Sequence, residues 1–253
     1  MERGPKNLNL FFKKGKTMML AYDQGLEHGP SDFNDKNIDP LFIIDIAKKG
    51  KYNAVIFQKG IAEKYNKEIK KAGVPLIVKL NGKTSLYKGE PMSRQLCSVE
   101  EAIMLGAKGV GYTIYIGSRN ESDMLSEFEK IQEEAHKKGL AVVAWIYPRG
   151  KDVRNENNPD LMIYACRVGL EIGADIIKIR YCGNKDDLAR AVRAAGRARV
   201  VIAGGAKKDR KEFLGQTKEI IDVGATGLAV GRNVWQDSDP INISNQIKKV
   251  IWK

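Results

Sequence analysis

Histidine and cysteine are scarce in this chain. It has two of the former (His28, His136) and three of the latter (Cys97, Cys166, Cys182) in 253 residues. Two separated imidazoles cannot build a zinc centre of the clustered kind, and His136 falls in a stretch that reads as a solvated helix. The cysteines are odd in number and lack CxxC spacing, which excludes a disulfide framework and points to free buried thiols in a reducing cytoplasm. No apolar run approaches the roughly 20 residues that span a bilayer, so no membrane segment is expected. The opening MERGPKNLNLFFKKGK has basic residues but no continuous apolar stretch, so no signal peptide is expected either. Acidic residues are outnumbered 31 to 43, for a formal charge of +12. The lysines and arginines are nevertheless dispersed, without a long cluster or interleaved aromatics, so nucleic acid is not the expected partner. Most of them should sit on solvated helix faces, and an anionic small-molecule substrate would engage only a few.

What the chain does have is alternation. Short runs rich in β-branched residues recur eight times: TMMLAYD (17–23), NAVIF (53–57), VPLIVKL (74–80), KGVGYTIY (108–115), LAVVAWIY (140–147), ADIIKIR (174–180), RVVIAGG (199–205) and TGLAVGR (226–232). Helical patterns lie between them, including 118–139, 158–174 and 208–225, each of these three closing on a glycine suited to a left-handed C-cap. Strict β–α alternation predicts a parallel sheet with right-handed crossovers. Eight units in about 250 residues predict closure into a single-domain (β/α)8 barrel over 1–253, with a short N-terminal extension over about 1–16. The segment 81–97 is long, polar and bears Gly and Pro. A loop after a barrel strand lies on the catalytic face, so this one is either a cover for a site or a surface excursion.

Strand parity then sorts the candidates, because alternate residues of a barrel strand face the lumen. In ADIIKIR, Ile177 and Ile179 face the helices, which puts Ile176, Lys178 and Arg180 inside. A lumen lysine is costly as a cation, and desolvation with cationic neighbours, Arg180 nearby, would lower its pKa to give a nucleophilic free amine. In AVVAWIYPRG the same parity puts Val143, Trp145 and Tyr147 inside, Tyr147 neighbouring Lys178 as a proton shuttle, with Arg149 at the mouth to meet a phosphate. Asp23 ends the first run and can hydrogen-bond the amine or a substrate hydroxyl. Ala203-Gly204-Gly205 and Gly231-Arg232 end the last two runs, where backbone N–H groups can cradle an anion.

Together these segments resemble the archaeal-type class I fructose-1,6-bisphosphate aldolases, over roughly residues 9–251. The resemblance rests on LAYDQGLEHGP, VIFQKGIAEKY, CSVEEAIMLGA, GYTIYIGS, AWIYPRG, ADIIKIRY, AGGAKKD and GLAVGRNVWQ in order. It implies Lys178 as the Schiff-base lysine, Tyr147 as general acid/base, Asp23 assisting and Trp145 shaping the site. It implies phosphate recognition by Gly204, Gly205, Gly231 and Arg232, and places Arg149, His28 and Gln24 near the substrate. The chain departs from the family pattern at Gln24, where histidine is usual, and at Ala206, where a proline commonly follows the glycine pair. The resemblance further implies phosphorylated ketose and triose phosphate as ligands, a homo-oligomer, often a decamer, and no metal or cofactor, since an iminium ion serves as electron sink. A synthase of the 2-amino-3,7-dideoxyheptulosonate type shares the YPRG strand end and the lysine, but Trp145, FQKG and LNGKT favour the aldolase. A basic nucleic-acid-binding protein would explain the charge and leave the lumen lysine unexplained.

Overall fold

All eight apolar runs form strands, and the strands close on themselves. In a computed structural model describing residues 5–253, they are β1 (Thr17–Tyr22), β2 (Ala54–Gln58), β3 (Leu76–Lys79), β4 (Gly109–Ile116), β5 (Ala141–Pro148), β6 (Ile176–Ile179), β7 (Arg199–Ala203) and β8 (Gly227–Val230). Every neighbouring pair is parallel, and β8 returns to pair with β1, Thr17 opposite Gly227. Both faces of each strand are covered, one by crossover helices and the other by the lumen, so the strands are continuously apolar rather than alternating. No helix among the described residues is long and apolar enough to cross a membrane.

The lumen is a packed core in its lower half. Met19, Ala54, Ile56, Ile77, Val143, Ile176 and Val201 meet there, while Ile177 and Ile179 join the outer core between strands and helices. The parity expected for β5 and β6 holds. Of the N-terminal extension, residues 1–4 lie outside the described residues; the remainder is more than an appendage. A 3-10 turn, Leu8–Phe11, inserts the fully buried Phe11 into the lumen cluster, closing the barrel at its N-terminal end.

The helices follow the periodic segments: α1 (Pro40–Lys49), α2 (Asn66–Ala72), α3 (Val99–Met104), α4 (Glu121–Lys137), α5 (Pro159–Glu171), α6 (Lys185–Ala194), α7 (Arg210–Asp222) and α8 (Pro240–Ile251). The three glycines expected to terminate α4, α5 and α7, Gly139, Gly173 and Gly224, have φ of 79°, 78° and 89°. The starts of α5 and α7 are capped by side chains: Asn158 accepts from the Asp160 N–H and Asp209 from those of Lys211 and Glu212.

One expectation is corrected, and one open alternative is decided. His136 is not on a solvated face: its Nε2 lies 2.9 Å from Asp175 Oδ2, and that carboxylate also accepts from the Val142 N–H, tying α4 to the start of β5. The 81–97 segment does not cover the lumen mouth. It forms a two-stranded antiparallel ribbon, Asn81–Gly82 with Arg94–Gln95, and packs beside β4. Asn81 fixes it there by donating to Ser93 O and Thr113 O and accepting from the Thr113 N–H.

Candidate active site

At the C-terminal end of the barrel the lumen opens into a cavity of about 350 Å³, within the range of small-molecule sites. Each of the thirteen site residues singled out from the sequence lines it: Asp23, Gln24, His28, Trp145, Tyr147, Arg149, Lys178, Arg180, Ala203, Gly204, Gly205, Gly231 and Arg232.

Lys178 is 5% exposed and registers opposite Trp145 of β5, with Tyr147 one inward position higher. Its ammonium nitrogen lies 5.0 Å from the Trp145 ring centroid. The indole reaches this place because β4 has no side chain at Gly111. A Cβ there would sit 1.7 Å from a Trp145 ring carbon. Burial pushes the Lys178 amine down to about 8; Asp23 opposes the shift and the charge on Lys79 adds to it. Lys178 makes no ion pair among the described residues, so nothing in contact with it holds the proton on. The cationic neighbour is therefore Lys79, not Arg180 as expected. Arg180 has its charge offset by Glu156, 2.8 Å away, and lies 5.3 Å from the Tyr147 ring centroid.

Lys79 was missed as a site residue, as was its partner Glu27. Lys79 is 4% exposed at the end of β3, its amine 3.5 Å from Asp23 Oδ2 and 3.4 Å from Glu27 Oε1. Burial would push this amine down, but Glu27 and then Asp23 outweigh it, and Lys79 ends above the ordinary lysine range. Glu27 sits on a one-turn helix after β1 and also accepts from the Tyr115 hydroxyl at 2.9 Å. Its burial is outweighed by Lys79 and Tyr115, which hold the carboxyl below the usual range. The parity that found Lys178 also marks Lys79 as inward, since Ile77 two residues earlier is a lumen residue; Glu27 has no comparable signal.

The Tyr147 phenol is raised by burial first and then by the Asp23 charge, so it keeps its proton at neutral pH. Arg149 is 5.1 Å from the Tyr115 ring centroid, and Glu156 bridges it, at 3.0 Å, to Arg180. The two guanidiniums pull the Glu156 carboxyl below its ordinary range despite its burial. His28 pairs with Asp32 at 2.5 Å, and Asp32 with Arg232 at 3.3 Å. The departure at Gln24 leaves a mark: its amide nitrogen is buried without a partner among the described residues.

The glycines after β7 and β8 are held by residues further along the chain. Asn233, 1% exposed, donates to Gly204 O and Ala206 O at 2.7 and 2.8 Å and accepts from the Lys208 N–H. Trp235 donates from its indole to Ala21 O. Gly205 adopts φ 71°, open to glycine at little cost, and Gly231 packs where a Cβ would meet Ala21 O at 2.9 Å. The result is a side-chain-free wall at the lumen mouth, with the short helix Arg232–Trp235 starting directly from it. Such a wall admits an anion to the backbone N–H groups. Among the described residues no group of His, Cys, Asp and Glu is arranged to hold a metal ion.

Comparison with known proteins places the chain in a family. The family model described as DeoC/LacD family aldolase matches residues 17–237. The chain is 46% identical over 250 residues to the "fructose-bisphosphate aldolase class 1" of Thermoproteus tenax, with 98% of this chain and 94% of that protein covered. It is 44% identical over 243 residues to the protein of the same name from Halobacterium salinarum, covering 95% and 92%. A solved archaeal fructose-1,6-bisphosphate aldolase, its catalytic lysine bound to the carbinolamine intermediate of the substrate, superposes with a TM-score of 0.93 at 45% identity over 98% of both chains. Family model, relatives and barrel agree: the chain belongs to the DeoC/LacD family of aldolases.

Proposed function

We propose that the protein is a class I fructose-bisphosphate aldolase, reversibly cleaving fructose 1,6-bisphosphate to dihydroxyacetone phosphate and glyceraldehyde 3-phosphate through a Schiff base on Lys178. The observation that carries the residue assignment is the contrast between two buried lysines: Lys79 is gripped by two carboxylates, Lys178 by none. Only the second offers a neutral amine near neutral pH.

The neutral amine of Lys178 adds to the C2 ketone to give a carbinolamine. Tyr147, protonated at rest, gives its proton to the departing hydroxyl, which leaves as water. An iminium ion and a tyrosinate remain. The tyrosinate takes the C4 hydroxyl proton while the C3–C4 bond breaks, its electrons flowing to the iminium nitrogen to form an enamine. Glyceraldehyde 3-phosphate leaves, Tyr147 protonates the enamine at C3, and water releases the second triose with the lysine restored. The raised phenol pKa suits both halves of this cycle, since it makes a proton donor at rest and a strong base once ionised. Asp23, held by Lys79, orients the substrate hydroxyls, and Trp145 closes the lumen beneath the reacting carbons. The C1 phosphate sits on Gly204, Gly205, Gly231 and Arg232, with Ala203 below, so binding energy remote from the reaction aligns C2 with the amine. Arg149, Arg180, His28 and Gln24 border the rest of the substrate.

The synthase reading uses the same lysine and tyrosine, and the relatives named for the bisphosphate favour the aldolase. We also infer a homo-oligomer working in the cytoplasm. Three free buried thiols support a reducing compartment, and exposed Leu86, Tyr87 and Met104 offer apolar surface for assembly. Borohydride reduction in the presence of dihydroxyacetone phosphate, followed by peptide mass spectrometry, tests the reading. The adduct is expected on Lys178; an adduct on Lys59 or Lys79 overturns it.

A further inference from the structure

Two arginines at the lumen mouth share one carboxylate. Arg180 follows Lys178 by two residues, about 6.5 Å further along the direction of β6. Arg149 follows the end of the neighbouring strand β5, and both arginines line the catalytic cavity. Glu156, from the irregular segment between β5 and α5, accepts from Arg149 Nε at 3.0 Å, from Arg149 Nη2 at 3.3 Å and from Arg180 Nη1 at 2.8 Å. Despite partial burial its carboxyl is held below the ordinary range by these cations, so it is an anion at neutral pH.

The contact is built to exchange. Among the described residues the Glu156 side chain hydrogen-bonds to nothing but the two guanidiniums. The arginines, by contrast, have a second support each: Arg149 lies 5.1 Å from the Tyr115 ring centroid and Arg180 lies 5.3 Å from that of Tyr147. Removing the carboxylate therefore leaves the pair of cations standing. Glu156 also borders an adjoining cleft lined by Lys83, Lys88 and Lys151, where a displaced carboxylate meets positive charge again. The seat itself suits a larger anion. A guanidinium carries five N–H donors, and Glu156 engages only two of Arg149's and one of Arg180's. A phosphate monoester brings three oxygens and a charge of about −1.5 to −2, against two oxygens and a single charge for a carboxylate.

We propose that Glu156 is an internal competitor for the distal phosphate of the substrate: it fills the Arg149–Arg180 seat when that phosphate is absent and swings out when it binds. The inference rests on the ketose-bisphosphate reading and extends it to specificity. With C2 on Lys178 and the C1 phosphate on the backbone after β7 and β8, the far end of the sugar lies towards the ends of β5 and β6. A ketose ending in a hydroxyl leaves the carboxylate in place, whereas a bisphosphate must displace it. Glu156 thus sets how strongly the enzyme prefers bisphosphate over monophosphate ketoses, and how readily the phosphorylated aldehyde leaves.

Steady-state cleavage of fructose 1,6-bisphosphate and of fructose 1-phosphate is compared in the wild type and in Glu156→Gln, which keeps the shape and removes the charge. The ratio of kcat/KM values, bisphosphate over monophosphate, should rise roughly three-fold or more, through a lower KM for the bisphosphate, with the monophosphate nearly unaffected. Glu156→Ala should act in the same direction. A carboxylate that merely props the arginines predicts the reverse, a raised KM for the bisphosphate and a smaller ratio. An unchanged or smaller ratio overturns the proposal. Failure of both variants to fold also overturns it, because a contact that exchanges in every turnover cannot be required by the fold. Borohydride trapping of dihydroxyacetone phosphate, which has no distal phosphate, separates this inference from the reading beneath it. Absence of the Lys178 adduct in the wild type defeats the aldolase reading; an intact adduct with an unmoved ratio defeats only the role of Glu156.

Discussion

Two walls of the lumen each bury a lysine against the same indole, and their surroundings differ in kind. On the β3 wall, Lys79 lies between Asp23 and Glu27 and remains an ammonium. On the β6 wall, Lys178 has apolar neighbours and no carboxylate in contact, so burial decides its state. The same residue type in the same cavity is held as a cation in one place and is proposed as the nucleophile in the other. What separates them is the loop after β1, which delivers Asp23 and Glu27 to one wall only. Lys79 adds a second effect, because its retained charge lowers the amine of Lys178 further.

Replacing each lysine breaks the comparison in opposite directions. Lys178→Met should reduce turnover on the order of 10⁴-fold or more, as loss of a covalent nucleophile does. The fold should gain from it. Because the folded pKa of Lys178 is depressed, its penalty is fully present below about pH 8 and fades as pH rises from there towards the unfolded value of 10.5. The gap corresponds to about 3 kcal/mol, so denaturation at pH 7 should show Lys178→Met stabilised by up to that amount, and less at pH 10. A destabilised variant would mean that the amine is better accommodated than its apolar surroundings imply.

Tyr147→Phe keeps the ring and removes the proposed proton shuttle. Cleavage should fall by roughly 10²-fold or more with little change in KM, while borohydride still traps the adduct on Lys178 after long incubation. Near-normal turnover would move the shuttle elsewhere, with Asp23 as first candidate. Lys79→Met leaves two carboxylates buried side by side and should destabilise the fold by about 3–5 kcal/mol in chemical denaturation. In the same variant the pH–rate profile should shift alkaline, since a charge that depressed Lys178 is gone. A profile that does not move would detach Lys79 from the nucleophile. Asn233→Ala loosens the proposed phosphate cradle and should raise KM about ten-fold, kcat changing less. Dialysis against EDTA should have the smallest effect, none, since the iminium ion takes the role of electron sink.

The barrel was legible because its code is local: apolar runs at regular intervals, and glycines where helices must end. The inward set was legible because parity is a property of single strands, and Lys178, Trp145 and Tyr147 follow from it. Lys79 obeys the same rule in VPLIVKL, but a lysine at a strand end reads as a rim residue until its partners are known. Those partners, Glu27 on a one-turn helix and Asp23, meet it only through tertiary folding. Glu156, which offsets Arg149 and Arg180, lies in an irregular loop without periodicity. The paired use of His136 with Asp175, and of Asn233 with the 204–206 backbone, likewise depends on contacts across 39 and up to 29 residues of sequence. Side chains that build a site were visible; side chains that hold it in place were not.

The central claim, that surroundings rather than residue type choose the nucleophile, is tested most directly by following both lysines in one experiment. The rate of borohydride-dependent adduct formation with dihydroxyacetone phosphate is measured from pH 6 to pH 10, with the modified peptides resolved by mass spectrometry. The expected result is modification of Lys178 rising with a midpoint near pH 8 and no modification of Lys79 at any pH. Labelling of Lys79, or a Lys178 midpoint at the ordinary lysine value near 10.5, would contradict the account.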